Sequence, residues 1–248
     1  MDSPFWWHED AAGGVRVAFT SVRAGNLGTH VGDPQEARRS RRRLEEHLGL
    51  EPGAVRYLRQ VHSAAVLDAS AVPGNEHGRE DPEGDAWISP RGREPLAVMG
   101  ADCPPVLLAG ETAAGTVTAA AHTGRPGLLG GVLENTVAAM RRQAPELSAP
   151  GRITAWIGPG ACGRCYEIPE EMVAEIAADR PAIRSRTSWG TSALDLRAEA
   201  ARILGEAGAA VVDPGGCTME DDSLFSHRRS TQQGSPPGRI AGIILTRD

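Results

Sequence analysis

Between Val55 and Ala121 the chain keeps returning to short apolar stretches closed off by turn residues, and this constrains its fold more than any other feature. The stretches are Val55 to Val61, Ala65 to Ala69, Ala86 to Ser89, Leu96 to Gly100, Val106 to Ala109 and Val117 to Ala121. Their length and composition read as strands, mostly of the type found inside a sheet. Val15 to Thr20, Ile153 to Ile157, Val211-Val212 and Ile240 to Leu245 add further strands. Helices are signalled between them. Asp33 is a good N-cap with Pro34 at the first helical position, Ala37, Leu44 and Leu48 share a face, and Gly49 ends the segment. Leu129, Val132, Leu133, Thr136, Val137 and Met140 recur at helical spacing before Arg141 and Arg142. Pro169 to Asp179 and Leu194 to Ala207 give two more helices, and Tyr166-Glu167-Ile168 reads as strand. The loop from Val72 to Gly84 reads as a surface excursion with a solvated His77. Strands and helices mixed without strict alternation predict an α/β (α+β) layered fold, a mixed sheet flanked by helices, as one domain over residues 1–248.

Charge narrows the partners. The net charge of -6 argues against nucleic acid, whose phosphates are bound mainly by excess Lys and Arg. The basic run Arg38 to Arg43 is balanced by Glu45 and Glu46 and reads as a solvated helix face. Met1 to His8 lacks a basic segment followed by an apolar run, and no stretch approaches the about 18 apolar residues of a membrane span. These features predict a cytoplasmic protein that does not enter a membrane. Its 4 cysteines are too few for a disulfide scaffold and remain free for metal or packing.

The most informative chemical arrangement is His62 at the end of one apolar stretch, Cys103 at a strand-to-strand turn, and His122 where a strand enters a glycine-rich turn. Two imidazoles and a thiolate form a three-ligand zinc set with a fourth position open for water. The same residues also admit a buried thiol with two hydrogen-bonded histidines, or a Cys103 nucleophile activated by a neighbouring His. Cys162-Gly163-Arg164-Cys165 reads as structural, since a zinc ribbon needs a second cysteine pair and Cys217 stands alone. Gly124, Gly127, Gly130 and Gly131 fit either close approach of an anion to backbone N–H groups or tight helix packing. Ser226-His227-Arg228-Arg229 offers a hydroxyl and two guanidiniums for phosphate, or an exposed basic turn.

Read together, Gln60-Val61-His62, Gly84-Asp85-Ala86, Ala101-Asp102-Cys103-Pro104-Pro105-Val106, Ala120-Ala121-His122, Cys165-Tyr166-Glu167 and Ser226-His227-Arg228-Arg229 resemble the YfiH family, known also as laccase-domain or multicopper polyphenol oxidase proteins. The motifs lie in the family's order over nearly the whole chain. The resemblance implies one zinc held by His62, Cys103 and His122, and phosphorolysis of adenosine, inosine and methylthioadenosine with adenosine deamination alongside. It implies a purine nucleoside and phosphate as ligands. Gln60, Gly124, Ser226 and Arg228 are the substrate-side candidates. Asp102 and Asp85 are candidates for moving protons or supporting the metal-bound imidazoles. Where the family reads His-Ala-Gly-Trp-Arg-Gly this chain reads His122-Thr123-Gly124-Arg125-Pro126-Gly127, so an aromatic is lost and the arginine comes one place early.

Copper oxidation fits poorly, because a multicopper site needs a histidine-rich cluster and the 7 histidines include no His-X-His pair. Two other readings stand beside the nucleoside enzyme. One, implied by the family resemblance, is a hydrolase editing peptidoglycan precursors, and the other is a non-catalytic partner-binding protein that keeps zinc for stability.

Overall fold

The computed structural model describes residues 3–72 and 80–247, so His77 and much of the loop around it lie outside the described residues. In chain order the elements are β1 (Phe5–Asp10), β2 (Val15–Thr20), α1 (Pro34–Leu48), β3 (Val66–Asp68), β4 (Ala86–Ser89), β5 (Leu96–Gly100), β6 (Pro105–Thr112) and β7 (Gly115–His122). They continue with α2 (Arg125–Leu129), α3 (Val132–Gln143), β8 (Ile153–Ile157), α4 (Glu170–Asp179), β9 (Arg184–Arg186) and β10 (Ser192–Leu194). The last are α5 (Leu196–Glu206), β11 (Ala210–Val212), α6 (His227–Gln233) and β12 (Ile240–Thr246).

One sheet has the order β11-β8-β6-β7-β4-β3 and is parallel only at its two outer pairs; a second, β1-β2-β12-β5, is wholly antiparallel, and β9 and β10 pair by themselves. Side chains alternate across a strand, so the layers can be read from single strands. On β6, Val106 and Leu108 pack with Val132, Leu133, Val137 and Met140 of α3 and with Ile203 and Leu204 of α5. Leu107 and Ala109 point the other way, onto Val17 and Phe19 of β2, Leu96 and Val98 of β5 and Ile244 of β12. Ala97, Met99, Ile243 and Leu245, on the far face of that second sheet, pack against Leu44 and Leu48 of α1. The order of layers is therefore helix, sheet, sheet, helix. Both faces of the central strands are buried, which is why they read as continuous apolar runs.

The helix ends follow their chemistry. Asp33 accepts from the Gln35 N–H at the start of α1, and Gly49 closes it in the left-handed region. Among the described residues no helix is long and apolar enough to cross a membrane.

Several expectations are corrected. Val55 to Val61 forms no strand, only isolated bridges at Arg56 and Arg59. The reason lies in two side chains. Glu45 takes the Gly53 and Val55 N–H groups, and the Gln60 amide bonds both the N–H and the C=O of Met99 where a strand would have offered backbone. The helix expected after His122 is broken at Gly131, whose φ of 92° is left-handed, leaving the short α2 ahead of α3. Leu194 ends β10, and Asp195 caps α5 by accepting from the Arg197 and Ala198 N–H groups. Tyr166 to Ile168 forms no full strand, only an isolated antiparallel bridge from Glu167 to Ala193 of β10, and β1 and α6 were not expected.

Truncation should report the layering directly. Leu107→Ala, in the fully buried space between the sheets, is expected to cost about 2–5 kcal/mol in urea unfolding. Val211→Ala, on a partly exposed edge strand, should stay within about 0.5 kcal/mol. Equal effects would contradict the order of layers.

Candidate metal centre

The strand ends bring the site together. His122 is the last residue of β7 and stands opposite Pro105 at the start of β6, with Cys103 in the turn just before it. Asp85 immediately precedes β4, the other neighbour of β7, and its C=O accepts from the His122 N–H at 2.8 Å. His62 lies in a turn with φ 61°, a conformation that L-residues with a side chain rarely adopt. Asp85 holds that turn. Its fully buried carboxylate accepts from the backbone N–H of Val61 (3.2 Å), His62 (3.0 Å) and Ser63 (2.6 Å) and from the Ser63 hydroxyl (2.7 Å). The same carboxylate meets His122 Nδ1 at 2.8 Å. Burial alone would raise the Asp85 carboxyl, but the bonds from His122 and Ser63 overcome it and hold it near 2.

One ligand atom each from His62, Cys103 and His122 lies within 4.8 Å of the other two. His62 Nε2 is 3.8 Å from Cys103 Sγ, and the two imidazoles stand edge to face with centroids 4.8 Å apart. With Nδ1 of His122 engaged by Asp85, its Nε2 is left to face the thiol, the tautomer a metal-bound imidazole needs. His122 is buried, Cys103 half-buried and His62 exposed, so the cluster opens to solvent on one side. Three N and S donors with an open side fit a catalytic zinc better than a closed structural one. Without metal, burial would raise the Cys103 thiol, but His122 and His62 bring it down to about 6. Burial would lower His122, yet the Cys103 thiolate and Asp85 hold it up at about 9.

Glycine makes room for the rings. A Cβ on Gly124 would fall 2.4 Å from His62 Cδ2 and 3.0 Å from His122 Cε1, and one on Gly127 would fall 2.7 Å from the Ser63 carbonyl oxygen. These glycines serve close packing beneath the imidazoles. Gln60 spends its amide on Met99, as described above. Asp102, with φ 90°, accepts from the Thr218 hydroxyl at 2.7 Å and from the Arg228 N–H at 2.8 Å. Its carboxylate therefore ties the Cys103 turn to the start of α6. Ser226 is the N-cap of α6, accepting from the Arg229 N–H.

Within the basic quartet the two arginines part company. Arg229 donates to the carbonyls of Asp221 and Leu224 and holds that loop, whereas Arg228 donates to the Glu167 carbonyl and lies over the Tyr166 ring, 5.0 Å from its centroid. Tyr166 feels the charges of Arg125, Cys103, Arg228 and Asp102, and burial raises its phenol. Arg239, which feels Cys103 and Asp102, is a further cation on this side that sequence reasoning missed. It follows Pro236-Pro237-Gly238 at the entrance to β12, a setting with no chemical signature of its own.

A family described as multi-copper polyphenol oxidoreductase laccase matches residues 9–247. The chain is similar to a purine nucleoside phosphorylase of Streptomyces griseus, 43% identical over 245 residues and 94% of each chain. It is similar also to a purine nucleoside phosphorylase of Corynebacterium glutamicum, 39% identical over 93% of this chain and 94% of the relative. Among solved structures, a Neisseria meningitidis protein has a TM-score of 0.79 at 32% identity, covering 99% of this chain and all of the other. The YfiH protein of Bacillus licheniformis shares the fold with a TM-score of 0.82 at 22% identity, over 99% and 98% of the two chains.

Two outcomes test this geometry. Gly124→Ala is expected to keep native circular dichroism while losing most bound metal, whereas Gly205→Ala, where an added Cβ meets nothing within 4 Å, should keep its metal; full metal in Gly124→Ala would refute the packing described. In chelator-stripped protein, Cys103 should alkylate with iodoacetamide readily at pH 7. A lowered thiol pKa keeps the thiolate above it, so the rate should fall as pH drops through about 6. A rate that already falls off below about pH 8.5, as for a free thiol, would show that the histidines do not act on it.

Proposed function

The chain belongs to the family of multi-copper polyphenol oxidoreductase laccase proteins, the YfiH group, and from that membership we propose that it is a zinc-dependent purine nucleoside phosphorylase of the cytoplasm that also deaminates adenosine. The observation that carries the reading is the open His62, Cys103, His122 cluster with Arg228, Arg125 and Arg239 on the side of Cys103 and Tyr166. The names of the relatives at 43% and 39% identity support it.

Zinc bound by His62, Cys103 and His122 would supply Lewis acidity and lower the pKa of a water. The protein's own groups do the rest. The Arg228 guanidinium can donate to phosphate oxygens, and Arg125 and Arg239 add positive charge where a dianion must sit. Phosphate oxygen then bonds to C1′ of the ribose as the bond from C1′ to the base nitrogen breaks, and the leaving purine takes a proton or a hydrogen bond. Tyr166, whose phenol burial raises further, is an O–H donor at hand. Asp85 fixes the His122 tautomer, and Asp102 holds the start of α6 so that Arg228 faces Tyr166. Deamination replaces the C6 amino group by oxygen from water, with ammonia leaving. Zinc is preferred over copper because two histidines and one cysteine form a single small site without the histidine-rich cluster of a multicopper oxidase.

Purified protein assayed on adenosine, inosine and methylthioadenosine should release free base only with phosphate present, and His122→Ala should abolish this. Arg228→Ala should raise the KM for phosphate about 10- to 100-fold, the loss of a charge-assisted hydrogen bond of roughly 1.5–3 kcal/mol. Zinc-loaded protein with no nucleoside turnover would overturn the reading in favour of a peptidoglycan-precursor hydrolase or a zinc-stabilised binding protein.

A further inference from the structure

Cys217 does not stand alone. The fold brings it to Cys162 and Cys165, and one ligand atom each from Cys162, Cys165, Cys217 and Glu220 lies within 4.8 Å of the other three. We propose that these four residues form a second, structural zinc site, separate from the His62, Cys103, His122 cluster.

The local backbone has the form such a site needs. Cys162 and Cys165 are spaced Cys-X-X-Cys, and Cys217 and Glu220 repeat that spacing with a carboxylate in the last place. Each pair bends around a tight turn. The Cys165 and Tyr166 N–H groups both donate to the Cys162 carbonyl, and the Glu220 and Asp221 N–H groups both donate to that of Cys217. Two such turns facing one another are the framework of a four-ligand zinc clip, in which sulfurs about 2.3 Å from the metal and a carboxylate oxygen complete a tetrahedron. The Cys162 N–H points at Cys217 Sγ at 3.4 Å, the kind of bond that orients a thiolate ligand. Cys165 and Cys217 are buried, Cys162 is half-buried, and Glu220 sits at the surface, where it can swing onto a metal. All four cysteines are free thiols, so the sulfurs are not consumed by a disulfide. On binding, three thiol protons leave to solvent and four protein ligands close the coordination, which leaves no position for substrate.

The position of the clip gives it a purpose. Its halves follow β8 and β11, parallel neighbours at one edge of the six-stranded sheet, and an isolated parallel bridge from Gly160 to Cys217 prolongs their pairing. Cys217 is followed by Thr218, which holds Asp102 beside Cys103, and Cys165 by Tyr166, which underlies Arg228. Zinc here would lock together the two loops that support the open cluster, whatever that cluster turns over.

Elemental analysis and native mass spectrometry on full-length protein, purified under reducing conditions from zinc-replete cells, should find two zinc ions per chain. Cys217→Ser and His122→Ala should each remove one, and the double variant both, so the two sites fail separately. Should Cys217→Ser not fold, Glu220→Ala changes only an exposed ligand and should release one of the two zinc ions to a chelator at least tenfold faster than wild type. In wild-type protein, N-ethylmaleimide should label Cys162, Cys165 and Cys217 only after chelation. A single zinc that His122→Ala removes, an unchanged zinc count in Cys217→Ser, release from Glu220→Ala at the wild-type rate, or a disulfide among these three cysteines would overturn the proposal.

Discussion

The site depends on one buried carboxylate. Asp85 is withdrawn from water, so it is tolerable as a charge only if its lone pairs are filled, and the chain fills them with donors from the 61–63 turn and from His122. That requirement runs in both directions. The turn keeps its left-handed His62 because its N–H groups have nowhere better to donate, and His122 keeps Nε2 toward Cys103 because Nδ1 is engaged. A single group thus sets two of the three donor positions. Removing its charge would leave the turn's N–H groups short of acceptors and would free both histidines at once.

Such a clamp needs a rigid base, and the stacked sheets provide it. β4, β6 and β7 are neighbours in the larger sheet, packed on one face by helices and on the other by the second sheet. Interiors packed on both faces do not deform continuously. Asp85 just before β4, Pro105 at the start of β6 and His122 at the end of β7 therefore stand at nearly one level, and the loops beyond are the parts free to specialise. Where those loops are irregular, side chains replace a ladder. Gln60 pairs with Met99, Asp102 with Thr218 and Arg228, and Glu45 with Gly53 and Val55.

This division explains what the sequence made legible. Strands such as β2, β4, β5 and β8 and the helix α1 were readable to the residue because local apolar patterning and capping agree with the tertiary packing. Val55 to Val61 misled because an apolar run can be buried without a strand ladder when side-chain amides and carboxylates satisfy its backbone. The three donors at 62, 103 and 122 were suggested by residue type and by their place at element ends, but the meeting of Cys217 with Cys162 was not, since nothing local announces that the loops after β8 and β11 converge. Arg239 escaped for the same reason.

Charge gives the site its character. The chain as a whole carries a net charge of -6, which would repel a dianion such as phosphate. Beside Cys103 the carboxylates of Asp85 and Asp102 have their lone pairs taken up by hydrogen-bond donors of the protein, while the charges of Arg125 and Arg228 reach Tyr166 and Arg239 feels Cys103 and Asp102. A divalent ion on two neutral imidazoles and one thiolate would add a further net positive charge. Arg125 sits at the start of α2 with its guanidinium against Met172 and its charge felt by Tyr166. These cations sit in a chain of net negative charge and act at short range, where salt screens them least, so their effect is confined to the neighbourhood of Cys103 and Tyr166.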